Sequence, residues 1–272
     1  MKLLRTLTCL CLLLLATWVI ADESKYSGEY LNLKSDPNPF SNQHILEFWG
    51  YHDTYAPQAQ SNTLKLRYYQ PLQLDQWRGT MRLDTSYVSA YGPLLPNQSS
   101  GNYTAGNTLL TIWGNHPDIL KNWGGTLGGR IIFPFGNYGQ WAAGPQVGGV
   151  FKPVEGSRSP LADFSPLARY MYGFYSKNST LANSLNQPAL ARRLELYPTL
   201  GFNIAPDTQI RFWDENGAVY NSAGGGWFVP IDAMVTHRLN QHFLFAIGAS
   251  KQVVQTYQQY DWSFYGKLSF NF

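Results

Sequence analysis

Charged side chains alternate with apolar ones in several short segments of this 272-residue chain. Alternation places the charged positions on one face of an extended strand and the apolar positions on the other. Charges that share one face can line a polar interior and set which solutes pass it. The positions predicted to line a pore are Lys65, Arg67, Arg82, Asp84, Arg130, Arg169, Arg193, Glu195, Arg211 and Asp232. Basic residues exceed acidic ones in this set, which predicts a constriction favouring anionic or polar aromatic solutes.

Catalytic motifs are missing from the sequence. It contains no GxxxxGK(S/T) phosphate loop, no HExxH metal motif and no GxSxG nucleophile motif. A lipid hydrolase needs a nucleophilic serine and a histidine held by a third polar group, and of the five histidines only His52 is predicted at the outer end of the fold. We therefore expect no enzyme activity and no catalytic, cofactor or metal site. No block of Lys and Arg marks a nucleic-acid surface either.

The elements that must position these charges are strands. Segments of about ten residues with alternating hydrophobicity, separated by turns, are typical of a membrane barrel. The predicted strands are 43–53, 61–70, 77–91, 107–115, 122–133, 141–152, 165–176, 190–203, 207–214, 225–238, 241–253 and 260–272. The fold class is therefore all-β, a single antiparallel transmembrane β-barrel of about 12 strands. An even number of strands places both chain termini on the same side of the membrane, and the predicted loops on the opposite side are longer.

The last predicted strand shows the alternation most clearly, with Trp262, Phe264, Gly266, Leu268, Phe270 and Phe272 on one face. Phe264, Leu268, Phe270 and Phe272 are interpreted as a recognition signal for the outer-membrane barrel-assembly machinery. The chain has 9 Trp, 18 Tyr and 15 Phe. The tryptophans that fall near predicted strand ends are Trp49, Trp77, Trp113, Trp123, Trp141, Trp213, Trp227 and Trp262. Aromatic rings gather at membrane interfaces, so these tryptophans are expected to contact outer-membrane lipid.

Residues 1–21 have the pattern of a signal peptide: Lys2 and Arg5, an apolar stretch, and small residues up to Ala21. Residues 22–42 are predicted to be an N-terminal periplasmic segment, and 43–272 the barrel. Both cysteines, Cys9 and Cys11, lie in the signal segment, so the exported chain is expected to be stable without disulfides. The predicted location is the bacterial outer membrane.

From residue 37 onward the segments resemble a family of bacterial outer-membrane proteins described as transporters of the MetA-pathway of phenol degradation. The residues that carry the resemblance are 36–40 (DPNPF), 66–71 (LRYYQP), 141–145 (WAAGP), 196–198 (LYP), 226–230 (GWFVP) and 261–272. The family's glycine–aspartate step after the long loop is Gly106-Asn107 here. The resemblance implies an outer-membrane barrel that passes small hydrophobic or aromatic compounds, and it implies no defined binding residues.

The interpretation we favour is a passive channel for small-molecule solutes. A second interpretation is that ion pairs such as Arg67 with Asp84 fill the interior, which gives a non-conducting structural or surface-binding barrel that uses loops 92–106 and 177–189. Eight strands close around packed side chains whereas 16–18 leave a wide channel, so twelve strands are compatible with both. A third interpretation is an outer-membrane lipid-modifying enzyme, which would require a Ser–His pair on the lipid-facing outer rim, and the sequence shows none. A fourth is a soluble exported β-sandwich. The sequence assigns neither a solute nor an oligomeric state.

Overall fold

The computed structural model describes residues 43–55, 59–91, 102–116, 125–135, 140–153, 160–176, 192–257 and 259–272. The predicted signal peptide and the segment 22–42 lie outside the described residues, as do residues 92–101 of loop 92–106 and all of loop 177–189. The strands are β1 Ile45–Tyr55, β2 Ala59–Leu74, β3 Trp77–Tyr91, β4 Thr104–Ala105, β5 Asn107–Asn115, β6 Thr126–Pro134, β7 Gln140–Gly148, β8 Leu161–Ser176, β9 Arg192–Ala205, β10 Thr208–Phe212, β11 Ala218–Asn221, β12 Trp227–Arg238, β13 Phe243–Gln255 and β14 Trp262–Asn271.

These strands form one closed antiparallel sheet. Neighbours in sequence pair with each other, and β1 closes the ring by pairing with β14. The short strands β10 and β11 share one position between β9 and β12, and the two-residue strand β4 pairs with β3 ahead of β5. The sheet therefore has 12 positions, and the predicted fold class is confirmed. We call the end of the barrel that holds Ile45 and Asn271 the terminal end, and the opposite end the far end.

The two faces of the sheet have opposite chemistry. Ile247, Ile231 and Leu64 are 62%, 57% and 54% exposed on the outside, whereas Arg67 and Asp232 are 2% and 0% exposed inside. A protein in water buries apolar side chains and exposes charges. The reverse arrangement is stable where hydrocarbon surrounds the barrel, and a closed sheet there pairs its own backbone groups. Among the described residues, no helix is long and apolar enough to cross a membrane.

The tryptophans follow the predicted interface pattern only in part, and Trp123 lies outside the described residues. Trp77, Trp227 and Trp262 are exposed on the outer face near strand ends. The prediction was wrong for Trp49 and Trp113, which are 2% and 6% exposed and face the lumen. Trp49 lies on the same face of β1 as Glu47 and donates its indole N–H to that carboxylate at 2.8 Å, so strand face decides its environment here rather than closeness to a strand end.

Two predicted boundaries change at the terminal end. β8 begins at Leu161, four residues before the predicted 165, and β7 ends at Gly148, four residues before the predicted 152, so the connection between them lies four residues earlier than predicted. Phe151 and Phe164 exchange two backbone hydrogen bonds of 2.8 and 2.9 Å and stack their rings at 6.0 Å. Pairing therefore resumes soon after β7 ends.

Candidate functional site in the barrel lumen

An inward segment, residues 213–217, interrupts the barrel wall between β10 and β11. Five residues separate Phe212 from Ala218, but only three separate their partners Leu200 and Leu196 on β9. The same comparison with β12 also gives two extra residues. Six residues separate Phe212 from Val219, but only four separate their partners Ala233 and Phe228. The wall has no room for two extra residues, so the chain turns into the lumen. The sequence predicted one strand at 207–214 followed by a loop at 215–224. This prediction was wrong, because the strand stops at Phe212 and a second short strand follows at Ala218–Asn221.

Specific contacts hold the inward segment. Trp213 adopts φ +50°, which is uncommon for a bulky residue, and its indole N–H donates to the Pro230 carbonyl at 2.9 Å. The Asn216 amide donates to Asp232 Oδ1 at 3.0 Å, and Tyr265 donates its hydroxyl to the same oxygen at 2.7 Å. Gly217 returns the chain to the wall, where a Cβ atom would lie 2.3 Å from the Leu196 carbonyl oxygen.

Glu215 extends from the inward segment across the lumen to β1 and β2. Its carboxylate accepts two hydrogen bonds from the Arg67 guanidinium, both at 3.2 Å, and one from the Tyr51 hydroxyl at 2.6 Å. Lys65 Nζ lies 3.3 Å from the same carboxylate. A bidentate arginine–carboxylate pair is both strong and geometrically specific. The pair therefore joins two walls of the barrel that lie far apart in the sheet.

Arg67 is also the centre of a larger ion network. Its Nε donates to Asp84 Oδ1 at 2.7 Å, which is the pair considered in the sequence analysis, and Arg82 donates to the second Asp84 oxygen at 2.8 Å. Glu47 lies 3.6 Å from Arg67 and accepts a hydrogen bond from Lys267 at 2.8 Å. These buried charges are mutually compensated, as buried charges in proteins usually are.

Aromatic side chains pack together in the lumen beside β1 and β14. The ring centroids of Trp49 and Tyr51 lie 5.7 Å apart, and those of Tyr51 and Tyr265 lie 5.9 Å apart. The Arg67 guanidinium lies 4.7 Å from the centre of the Trp49 ring, a cation–π contact. Met234 and Ala246 complete this cluster. These side chains narrow the lumen beside β1 and β14.

A cavity of about 280 Å³ lies in the lumen along β2, β3, β5, β6, β8 and β9. It extends from the terminal end, at Gly148 and Pro166, to the inward segment at Glu215. Its lining includes five cationic side chains (Lys65, Arg67, Arg82, Arg130 and Arg169) and three acidic ones (Asp84, Asp214 and Glu215). The excess of two positive charges gives the cavity an electrostatic preference for anions.

A second ion cluster forms one wall of this cavity. Arg169 donates its Nε to Glu195 at 2.8 Å and a terminal nitrogen to Gln146 at 3.2 Å. Arg193 donates to the second Glu195 oxygen at 2.8 Å. Arg169 and Glu195 are direct partners on β8 and β9, so the register of the sheet sets this pair.

All ten residues predicted to line a pore have side chains inside the barrel, but they do not form one group. Lys65, Arg67, Arg82 and Asp84 belong to the Arg67 network, and Arg169, Arg193 and Glu195 belong to the second cluster. Arg130 faces the cavity. Arg211 and Asp232 support the inward segment, since Arg211 pairs with Asp163 at 3.1 Å and lies 3.3 Å from Asp214.

Lys267 lies on the face of the last strand that alternation assigns to the lumen, and it is buried there and donates to Glu47. Four acidic residues of the lumen, Glu47, Asp163, Asp214 and Glu215, were not predicted. Alternation offered a signal for Glu47, which shares a face of β1 with Trp49, but none for Asp214 and Glu215, which lie outside the strands. Because all four are acidic, the lumen carries a smaller excess of positive charge than predicted.

The residues predicted to signal barrel assembly lie on the outer face of the last strand. Phe264, Leu268 and Phe272 are 49%, 37% and 42% exposed, and Phe270 is partly exposed. They alternate with buried Ser263, Tyr265, Lys267 and Ser269. Recognition of this face by the assembly machinery stays a prediction.

His52 is the histidine relevant to a lipid-modifying enzyme, because it lies near the far end of β1. Its ring nitrogen Nδ1 is 2.8 Å from the Asn62 side-chain oxygen. His237, at the terminal end, is 2.8 Å from the Thr208 hydroxyl. His52 therefore interacts with an amide rather than with a serine nucleophile.

Comparison with protein-family models and with curated proteins gave no match. Among solved structures, the NanC porin is similar over 83% of this chain and 98% of that one, with a TM-score of 0.51 and 10% identity. The β domain of the Bordetella autotransporter BrkA is similar over 85% and 100%, with a TM-score of 0.50 and 12% identity. These similarities concern the fold. Together with the apolar exterior and the charged interior, they define an outer-membrane β-barrel and agree with the predicted location.

Proposed function

We propose that the protein is an outer-membrane channel for the passive passage of small molecules. The observation that carries the proposal is the cavity of about 280 Å³ inside a closed barrel, with a charged lining at the level of the inward segment. Closed barrels whose lumen holds rings of charge select solutes by size and charge. The excess of two cationic side chains favours anionic solutes over cationic ones.

We further propose that the solutes include aromatic compounds. The support is the resemblance to the transporter family of the MetA-pathway of phenol degradation, together with apolar cavity residues such as Trp113 and Leu109. The Arg67–Glu215 bridge limits the width of the path. The channel is thus expected to pass small solutes and to exclude large ones.

A non-conducting barrel is the second candidate. The ion networks around Arg67 and the stacked cluster of Trp49, Tyr51 and Tyr265 favour it, because together they occupy a large part of the lumen. A barrel of this kind would act through its surface. Electrical recording distinguishes the two candidates.

The test is the ion selectivity of current through the purified protein in a planar bilayer with a potassium chloride gradient. The wild-type protein is expected to carry current with a preference for chloride. Arg82→Glu makes the cavity charges balance, so the reversal potential is expected to shift toward potassium selectivity. Arg78→Glu serves as the control, because Arg78 is exposed at the terminal end of β3 and does not line the cavity. A folded protein without current, or equal shifts in both variants, would contradict the proposal.

A further inference from the structure

One cation of the cavity differs from the rest in its pairing. Arg130 on β6 is 8% exposed, and its Nε donates to Thr111 Oγ1 at 2.8 Å. Among the described residues it forms no ion pair, whereas Arg82 and Arg169 pair with Asp84 and Glu195. A buried guanidinium usually has a carboxylate or phosphate partner. The two terminal nitrogens of Arg130 are therefore available to an anion that enters the cavity.

The sheet register holds this guanidinium in place and puts two more arginines near it. Arg82, Thr111 and Arg130 are direct partners on the successive strands β3, β5 and β6. Arg169, on β8, lines the same cavity. Since Thr111 orients the Nε of Arg130, little side-chain entropy is lost when the terminal nitrogens bind a planar anion.

Apolar surface lies directly beside the same group. Leu109 and Trp113 lie on the same face of β5 as Thr111, one on each side of it, and both line the cavity. Val150, Pro166 and Leu167 contribute further apolar lining. Apolar walls with a few positioned polar groups are the usual composition of a small-molecule site. A ligand that satisfies both features has an anionic group and an apolar body.

We propose that the lumen cavity is a binding site for a small organic carboxylate. Its carboxylate accepts hydrogen bonds from the terminal nitrogens of Arg130, and its apolar body packs against Trp113 and Leu109. The volume of about 280 Å³ is close to the lower limit of about 300 Å³ for small-molecule pockets. This inference deepens the proposed function and rests on it for the claim that the bound molecule is carried through the barrel.

The experiment is calorimetric titration of benzoate into the full-length protein purified in detergent, with benzamide and inorganic phosphate as comparison ligands. We expect benzoate to bind, and the two comparison ligands to bind weakly or not at all. Arg130→Gln removes the charge and the paired donors, so the affinity for benzoate is expected to fall roughly 10- to 100-fold. Arg192→Gln is the matched control with unchanged affinity, because Arg192 is exposed on β9 and does not line the cavity.

Folding of each variant is checked by the heat-dependent shift of the barrel on a denaturing gel. If Arg130→Gln does not fold, Thr111→Val keeps the arginine, releases its Nε and is expected to weaken benzoate binding. Equal affinity for benzamide, equal affinity for phosphate, or full affinity in a folded Arg130→Gln or Thr111→Val variant would each overturn the site. If the protein carries current but does not bind benzoate, the proposed binding site is wrong and the proposed channel function still stands. If it binds benzoate but carries no current, the channel function is wrong and the binding site still stands.

Discussion

Arg67 connects three carboxylates in the lumen: Asp84 at 2.7 Å, Glu215 at 3.2 Å and Glu47 at 3.6 Å. Its side chain is 2% exposed, so water does little to screen it. Removing one member of a buried ion pair is costly because the remaining charge is left uncompensated. The stability of this region of the barrel therefore depends on keeping the whole network rather than on any single pair.

Glu215→Gln tests this dependence at the residue scale. We expect the free energy of unfolding to decrease by about 3 kcal/mol, since Arg67 loses a bidentate partner and Lys65 loses a counter-ion. Reversible denaturant titration in phospholipid vesicles measures the change. Asp207→Asn is the control, because the Asp207 side chain is 48% exposed in its pair with Arg238, and the expected loss is below about 1 kcal/mol. Equal losses in the two variants would contradict the role of the network.

The sequence predicted many of the charged side chains that face the lumen and the pair of Arg67 with Asp84, but not the other pairs. Strict alternation on β2 and β3 identified Arg67, Arg82 and Asp84 because one residue in two faces inward on any strand. The other pairs depend on register and on barrel closure, which alternation does not contain. Glu215 shows the limit most clearly, since its partners Lys65 and Arg67 lie about 150 residues away.

At the scale of elements, the inward segment is a consequence of chain length between fixed registers. Both neighbouring strands indicate an excess of two residues between β10 and β11. An even excess preserves the alternation of faces on the two sides of the interruption. Removing two residues is therefore compatible with one continuous strand in place of β10 and β11.

Deletion of Asp214 and Glu215 together is expected to give a wider lumen. The strand can then pair without interruption with β9 and β12, and the bridge to Arg67 disappears. We expect the single-channel conductance to increase severalfold. The variant with Asp214→Ala and Glu215→Ala combined keeps the chain length, and its smaller increase separates the loss of charge from the loss of the segment. Unchanged conductance in a folded deletion variant would show that the inward segment does not limit the path.

The outer face of β13 provides a second prediction about an element. Ile247 is 62% exposed near the middle of the strand. If the barrel spans the outer membrane, this side chain lies in the hydrocarbon region. Ile247→Arg is expected to lower the free energy of unfolding in vesicles by about 2–4 kcal/mol. Leu239, 57% exposed in the turn after β12, lies at the membrane boundary, and Leu239→Arg is expected to cost about 0–1 kcal/mol. The reverse order would contradict the placement of β13 in the membrane.

The elements differ in how well the sequence predicts them. β14 was predicted nearly to the residue because its alternation from Trp262 to Phe272 has no interruption. β8 was predicted too short, because Pro160, Pro166 and small residues around its start resemble a turn. β10 and β11 were predicted as one strand followed by a loop, since the contacts that hold 213–217 come from β9, β12 and β14. Local pattern identifies a strand, whereas distant partners decide where it breaks.

At the scale of the whole molecule, the lumen is only partly filled. Stacked aromatic rings pack beside β1 and β14, and Arg67, which contacts Trp49, also lines the cationic cavity. A barrel of 12 strands is intermediate between barrels that close around side chains and barrels with a wide pore. A partly filled lumen with a small cavity fits that intermediate size, and it predicts passage of small molecules only.

The measurement that tests this account most directly is the swelling of phospholipid vesicles that contain the folded protein. In an isotonic solution of the pentose arabinose, these vesicles are expected to swell much faster than protein-free vesicles, because the sugar enters through the lumen and water follows. In an isotonic solution of the tetrasaccharide stachyose, both kinds of vesicle are expected to swell at the same slow rate. Vesicles with correctly folded protein that swell in arabinose no faster than protein-free vesicles would contradict the account.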